Sequence, residues 1–136
     1  MSLFKIHYTG DLRTESTHID SGSIIHTDAP KDNQGLGRKF SPTDLLVSSL
    51  GSCLLTIMGI VAKRHNIDML GTYANLSKKM CENPRKISHI GVDIYLNKEI
   101  DKKYKKILYN ASKHCPVHNS LSENIKIKIN FKNSHA

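Results

Sequence analysis

Hydrophobic and polar residues alternate along the first part of the chain. Phe4, Ile6 and Tyr8 alternate with polar neighbours, which is the period-2 pattern of a half-buried strand. Two further short runs, at 12–19 and 23–27, lie on either side of the polar turn Asp-Ser-Gly. The pattern predicts a small antiparallel meander of three strands at the N-terminal end.

A long helix is predicted next. The stretch 28–39 is rich in Pro, Gly, Asn and Asp and is interpreted as a loop. Ser41 is suited to cap the helix that follows, Pro42 suits its first position, and Asp44 completes a capping box with Ser41. From 45 to 62 no residue is charged, so the helix is expected to be buried.

The uncharged segment is also long enough for a membrane span. It has 18 residues, but Ser, Thr and Gly dilute it, and the flanking regions have ordinary strand and helix patterns. We therefore expect no membrane and a helix covered on all sides by a sheet or by a second subunit. Gly51 and Gly59 lower helix propensity, which favours close packing against another backbone and suits an obligate dimer.

The second half of the chain contains both periodicities. The runs 71–80 and 87–96 predict a hairpin of two strands. A helix ending near His114 is predicted from an apolar stripe with spacings of three and four, formed by Ile100, Tyr104, Ile107, Leu108 and Ala111. A short helical segment at 116–124 and a strand at 125–131 follow. The predicted fold class is α+β, in one domain covering 1–136.

Composition narrows the function classes. The chain has 136 residues, 20 basic and 12 acidic side chains, and a formal charge of +8. The lysines are spread over separate elements without a nucleic-acid motif, so we expect no nucleic-acid partner, although a basic binding module stays a rival. Three Cys make no disulfide scaffold, and residues 1–15 lack an apolar secretory segment, which predicts the cytoplasm and reduced thiols.

The cysteines are the candidate chemistry. Cys115 precedes Pro116 at the junction of two helical segments, where unpaired backbone N–H groups and the helix dipole favour a thiolate. Cys53 lies in the middle of the long helix, where a buried Cys is often only a small apolar residue. Cys81 has no partner motif and is interpreted as incidental. Because 61 residues separate Cys53 from Cys115, the sequence alone does not show whether they meet.

Two motifs suggest a family. The first is Ser-Pro-Thr-Asp-Leu-Leu at 41–46, continued by Leu-Gly-Ser-Cys at 50–53, and the second is Cys-Pro-Val-His-Asn-Ser-Leu at 115–121. Together they resemble the two signatures of the OsmC/Ohr family, the osmotically inducible protein C and organic hydroperoxide resistance proteins. The order of predicted elements also resembles this family's fold over nearly the whole chain. The resemblance implies an intertwined homodimer with two active sites at the subunit interface.

The resemblance also implies an activity, which is thiol-dependent reduction of organic hydroperoxides in oxidative stress defence. Cys53 matches the peroxidatic position and Cys115 the resolving position. The expected reductant is a dithiol, either a lipoyl protein or a small thiol, and no cofactor or metal is expected. The glutamate of the peroxidase branch is Thr43 here, whereas Asp44 resembles the acidic position of the OsmC-like branch and competes with its own capping role. Arg38 is the candidate to stabilise the thiolate, with Arg13 as the alternative.

Other interpretations stay open. Apolar residues around Cys53, namely Leu50, Leu54 and Ile57, are expected to receive an alkyl tail. A diverged OsmC-like protein that binds a lipid or small molecule without turnover is the alternative function. His114, Cys115 and His118, with Cys53 as a fourth ligand, suggest a metal, but their spacing matches no standard zinc pattern. His118 is better interpreted as a neighbour that tunes the Cys115 thiol or as a polar residue with its own hydrogen-bond partners.

Overall fold

The computed structural model describes residues 1–132, and its elements follow the predicted order. Three strands are followed by a long helix, two strands, two helices and a last strand in this described part of the chain. The predicted α+β class is therefore confirmed. The described chain forms two compact units, one from Met1 to Leu46 and one beginning at Val47, and each is described by itself. The single domain over 1–136 stays a prediction.

The first unit is built on an antiparallel sheet with strand order β1-β2-β3. Its strands are β1 (Phe4–Gly10), β2 (Arg13–His18) and β3 (Ile24–Asp28). Between β1 and β2, Asp11 and Leu12 have φ values of 54° and 62°, the left-handed values of a tight two-residue hairpin turn. The predicted meander is present.

The two faces of this sheet differ in chemistry. Phe4, Ile6 and Tyr8 share one face and are 59%, 63% and 68% exposed. Arg13 and Asp28 lie directly opposite each other on β2 and β3, on the other face. An apolar row with this exposure is unusual on a monomer and is typical of a surface that a partner covers.

The prediction that 28–39 forms only a loop is wrong in two places. Asp28 is the last residue of β3 and is 1% exposed. Lys31–Asn33 form one turn of 3₁₀ helix, and the Gly35 N–H donates to the Pro30 carbonyl at 2.9 Å. Local backbone hydrogen bonds therefore organise a segment whose polar composition gave no periodic signal. A Cβ at Gly35 would lie 1.7 Å from a backbone oxygen, so only glycine fits there.

Helix α1 (Pro42–Arg64) begins at the predicted capping box. The Asp44 N–H donates to Ser41 Oγ at 3.1 Å, and the Ser41 N–H donates to Asp44 Oδ2 at 2.9 Å. By length and apolar composition α1 is able to cross a membrane, but a core helix of a soluble protein meets the same criterion. In its most apolar window 33% of the residues are buried inside the chain.

One stripe of α1 faces the core of the second unit. Its members are spaced by three and four residues and are Val47, Leu50, Leu54, Met58 and Ala62. Gly51 is closely packed as predicted, although its neighbour is the Leu76 side chain rather than a backbone. A Cβ at Gly59 would have no neighbour within 4 Å among residues 1–132, and Ile60 is 47% exposed. The described chain alone therefore does not cover α1 on all sides.

The second unit contains a mixed sheet with strand order β4-β5-β6. Its strands are β4 (Tyr73–Cys81), β5 (Lys86–Tyr95) and β6 (Lys126–Lys132), within two residues of the predicted bounds. The two outer strands differ in direction, because β4 pairs antiparallel and β6 parallel with β5. Alternate residues of β5 are buried as predicted, namely Ile90, Val92 and Ile94.

Helices α2 (Lys102–Ser112) and α3 (Pro116–Ser120) connect β5 to its parallel neighbour β6. Leu108 and Ala111 on α2 are buried, as the predicted stripe requires. The predicted helical segment to 124 is wrong in length, because α3 ends at Ser120 and Leu121 is extended, with φ −81° and ψ 152°. The crossover brings the loop between α2 and α3 to the core that α1 also lines.

Candidate functional site

Cys53 belongs to α1, one position away from the buried stripe of that helix. It is half-buried and packs against the core of the second unit. The residues on either side of it in the stripe, Leu50 and Leu54, are fully buried. They therefore fill the core, and of the three residues expected to receive an alkyl tail only Ile57 is partly exposed.

Cys115 is the residue that caps α3. Its backbone is extended, with φ −73° and ψ 116°, and Pro116 occupies the first helical position. The Cys115 Sγ accepts a hydrogen bond from the His118 N–H at 3.4 Å, and the side chain is fully buried. The backbone N–H of His118 rather than its imidazole therefore contacts the thiol.

The structure brings Cys53 and Cys115 together. Both are free thiols, and the Cys115 side chain forms a hydrogen bond with Cys53. The contact joins the middle of α1 to the N-terminus of α3 across 61 intervening residues. A disulfide between them would require the two sulfurs to come to about 2.05 Å, the length of an S–S bond.

The electrostatics of Cys115 differ from the sequence-based prediction. Burial away from water raises the pKa of the Cys115 thiol, and the hydrogen bond and charge interaction with Cys53 raise it further. The backbone N–H groups of His118 and Val117 lower it, as predicted from the helix terminus, but their effect is the smaller one. The net direction is therefore opposite to the one expected from the helix terminus, and the pKa of Cys115 is raised rather than lowered.

The predicted arginine Arg38 contacts Asp28, a residue for which the sequence predicted no role in the site. Asp28, which is 1% exposed, accepts a hydrogen bond from the Arg38 N–H at 3.1 Å. Its Oδ2 lies 3.5 Å from Arg38 Nε, and its Oδ1 lies 3.8 Å from Arg13 Nε. Both candidate arginines thus converge on one buried carboxylate. The period-2 pattern that pairs β2 with β3 was the only sequence signal for this contact.

The other selected residues have structural partners. Asp44 forms both hydrogen bonds of the capping box, so its capping role is real, whereas its catalytic role stays a prediction. Arg38 and Asp44 belong to the first unit, whereas Cys53 and Cys115 belong to the second. The Cys81 Sγ lies 4.0 Å from the Pro84 carbonyl oxygen in the β4–β5 turn. Within residues 1–132, no group of three or more His, Cys, Asp and Glu side chains is arranged to hold a metal ion.

Comparison with known proteins identifies the family. Residues 34–130, which include α1, α3 and both cysteines of the pair, match the family described as OsmC-like protein. Among curated proteins, the chain is 31% identical over 110 residues to an uncharacterised protein of Methanocaldococcus jannaschii. The aligned region covers 79% of this chain and 57% of that relative, so the chain spans little more than half of the relative's length.

Solved structures of other proteins share the fold of this chain. The chain is 47% identical to a Psychrobacter arcticus protein whose name contains the words osmotic stress induced and detoxification response, with a TM-score of 0.92 and coverage of 97% and 96% of the two chains. It also shares the fold of a Legionella pneumophila organic hydroperoxide resistance protein OsmC, at 15% identity, a TM-score of 0.75 and coverage of 97% and 96%. On the match over residues 34–130, this chain belongs to the OsmC-like protein family.

Proposed function

We propose that this protein reduces organic hydroperoxides through the Cys53–Cys115 thiol pair, with Cys53 as the attacking sulfur and Cys115 as the resolving sulfur. The observation that carries the proposal is the hydrogen bond between the two thiols, one half-buried on α1 and one fully buried at the N-terminus of α3. The likeness to structures of hydroperoxide resistance proteins supports the same chemistry.

The proposed reaction has two steps that oxidise the thiols. The Cys53 thiolate attacks the distal oxygen of the hydroperoxide, the O–O bond breaks, and the alkoxide takes a proton and leaves as an alcohol. Cys53 is then a sulfenic acid. The Cys115 thiol condenses with it, so that an S–S bond forms and one water leaves. The peroxide has gained two electrons, and the two thiols have lost them.

The raised pKa of Cys115 suits the resolving role. A buried thiol with a raised pKa keeps its proton while the neighbouring Cys53 reacts with the hydroperoxide. The same proton stays available when the sulfenic acid loses its oxygen as water. The difference between a half-buried Cys53 and a fully buried Cys115 supports the proposed order, in which the more accessible sulfur attacks first.

The proposal needs an external reductant. A dithiol, either a lipoyl group on a protein or a small molecule, would return the disulfide to two thiols and be oxidised to its own disulfide. We propose the cytoplasm as the compartment, because glutathione and thioredoxin keep thiols reduced there. Arg38 is the proposed activating residue, Arg13 its alternative, and Asp44 the proposed acidic residue.

The homodimer is part of the proposal. The exposed apolar row of Phe4, Ile6 and Tyr8 and the exposed Ile60 on α1 support a second copy of the chain, since large apolar patches are rarely left in water. Ile6→Glu, which places a charge in the middle of that row, should lower the dimer fraction in sedimentation velocity. Lys5→Glu on the opposite face of β1 is the matched control. A parent protein that sediments as a monomer would exclude the dimer.

The activity is tested by stoichiometric oxidation. One equivalent of tert-butyl hydroperoxide should remove two thiols per chain, and peptide mapping should find a Cys53–Cys115 disulfide. Cys53→Ser should abolish the reaction, Cys115→Ser should leave a sulfenic acid that over-oxidises, and Cys81→Ser should behave as the parent. No thiol loss under excess hydroperoxide would exclude the peroxidase and favour the alternative, an OsmC-like protein that binds a small molecule or lipid without turnover.

A further inference from the structure

A cleft in the second unit is unrelated to the two thiols. Its volume is about 260 Å³, and it lies between α2 and the end of β6. Six residues line it, and they combine three lysines with three apolar or aromatic side chains: Leu96, Lys105, Lys106, Tyr109, Phe131 and Lys132. The cavity approaches the lower end of the size range of small-molecule sites, about 300 to 1,000 Å³.

The apolar part of the cleft is pre-formed. Leu96 is 5% exposed and is one of the residues that line the cleft. The rings of Tyr109 and Phe131 pack edge to face, with centroids 5.1 Å apart and an interplanar angle of 66°. Tyr109 is nevertheless 45% exposed, so much of its surface is free to contact a ligand. An adjoining cavity of about 200 Å³ also includes Tyr109 in its lining.

The charge of the cleft is mostly uncompensated. Lys132 is 3.9 Å from Asp93 Oδ1, so this lysine has a carboxylate partner. Lys105 and Lys106 form no ion pair with a carboxylate in the described chain, and α2 contains no acidic residue along its length. Lys105 is also half-buried, so its charge is screened less than that of a fully exposed lysine.

We propose that this cleft is a binding site for a small amphipathic carboxylate, with an aromatic or alkyl body on Tyr109 and Phe131 and its anionic group between Lys105 and Lys106. The apolar side chains of the lining bind the body, and the two unpaired ammonium groups bind the charge. Lys113 contributes to the same field, since its Nζ lies 4.9 Å from the centre of the Tyr109 ring. The site uses neither cysteine and does not depend on the proposed peroxidase activity.

The test uses 4-phenylbutyrate as the probe on the full chain, followed by amide chemical shifts in ¹H–¹⁵N spectra. We expect saturable shifts in α2 and β6 with a Kd on the order of 1 mM, as the ligand's size implies. 4-Phenylbutanol lacks the charge and acetate lacks the body, and each should bind about tenfold more weakly or worse. Equal binding of either control compound would overturn the proposal, as would the absence of shifts in α2 and β6.

Variants of the α2 lysines test which positive charges contribute to binding of the probe. Lys105→Gln combined with Lys106→Gln should weaken 4-phenylbutyrate binding by roughly tenfold, because two partly exposed ion pairs are lost. Lys102→Gln combined with Lys103→Gln makes the same charge change on α2 outside the cleft and should have little effect. The single variant Lys106→Glu, at an exposed position that folding tolerates, should weaken binding at least as much. Equal losses in both double variants would show that only the general charge of α2 matters.

Independence from the thiols is checked in the double variant Cys53→Ser, Cys115→Ser. It should bind 4-phenylbutyrate as the parent does, even though it has lost the thiol reaction. Loss of binding in that variant would show that the probe occupies the thiol site and would overturn the assignment to the cleft.

Discussion

Replacing Asp28 with Asn is expected to destabilise the protein through loss of one buried charge. The Asn side chain keeps the shape of the carboxylate and can still accept the hydrogen bond from the Arg38 N–H, but it no longer carries a charge for the two arginines. The Nε atom of Arg13 is buried and has no hydrogen-bond acceptor, so its charge depends on the carboxylate 3.8 Å away.

The expected loss of stability in the Asp28→Asn variant depends on how far the three charged side chains are exposed to water. Breaking a fully buried ion pair costs about 3–5 kcal/mol. Here Asp28 is 1% exposed, but the side chains of Arg13 and Arg38 are 32% and 53% exposed, so water screens part of the interaction. We therefore expect a loss of about 2 kcal/mol, which lowers the melting temperature of a chain of this length by roughly 6–10 °C.

The assay is thermal unfolding by circular dichroism, with Asp20→Asn as the matched control. Asp20 is exposed in a turn, and its substitution should change the free energy of unfolding by no more than about 0.5 kcal/mol. Higher salt should narrow the gap between the parent and the Asp28 variant. If the two Asn variants melt within about 2 °C of each other, the carboxylate does not hold the arginines as argued.

Four further predictions concern packing, titration and capping. Gly51→Ala should cost about 1 kcal/mol in urea unfolding, because its Cβ would lie 2.6 Å from Leu76 Cδ1 and an overpacking cost of about 1–3 kcal/mol exceeds the helix-propensity gain of about 1 kcal/mol. Leu76→Ala should relieve the clash, and an unchanged midpoint would contradict the packing. Gly59→Ala should instead gain up to about 1 kcal/mol in a monomer, so a loss would indicate a covering subunit. Because the pKa of Cys115 is raised in the folded state, the reduced protein should lose stability as pH rises above the ordinary thiol pKa of about 8.5. Cys115→Ser should flatten the dependence of the free energy of unfolding on pH. Identical slopes in the two proteins would refute the raised pKa of Cys115. Ser41→Ala should cost about 1 kcal/mol by thermal melting through loss of the cap, and no change would mean that the capping box contributes nothing.

Local patterns account for most of the elements. Residues only a few positions apart produce the alternation in β1 and β5, the capping box of α1 and the apolar stripe of α2. These patterns are therefore visible in the order of the amino acids. The same reasoning was wrong where no periodic signal exists, at the 3₁₀ turn of Lys31–Asn33 and at the end of α3 at Ser120. Backbone hydrogen bonds and an extended residue, rather than hydrophobic periodicity, set those bounds.

Electrostatics could not be predicted from position in the chain. The backbone N–H groups of His118 and Val117 lower the pKa of Cys115, as its position before a helix predicts, but burial of the thiol raises the pKa by more. Asp28 lies in a stretch that reads as a polar loop, and only pairing with Arg13 across the sheet and exclusion from water give it a role. Burial is a property of the whole fold, so it is absent from any local window.

The sequence by itself determined the α+β order of elements, the cap of α1 and, through two motifs, the family to which the chain belongs. The tertiary structure alone decided that Cys53 and Cys115 share a hydrogen bond, which of them is excluded from water, and that two arginines converge on Asp28. The physical reason is that hydrogen bonds within an element act over three or four residues, whereas desolvation and contacts between distant segments exist only after the chain has packed.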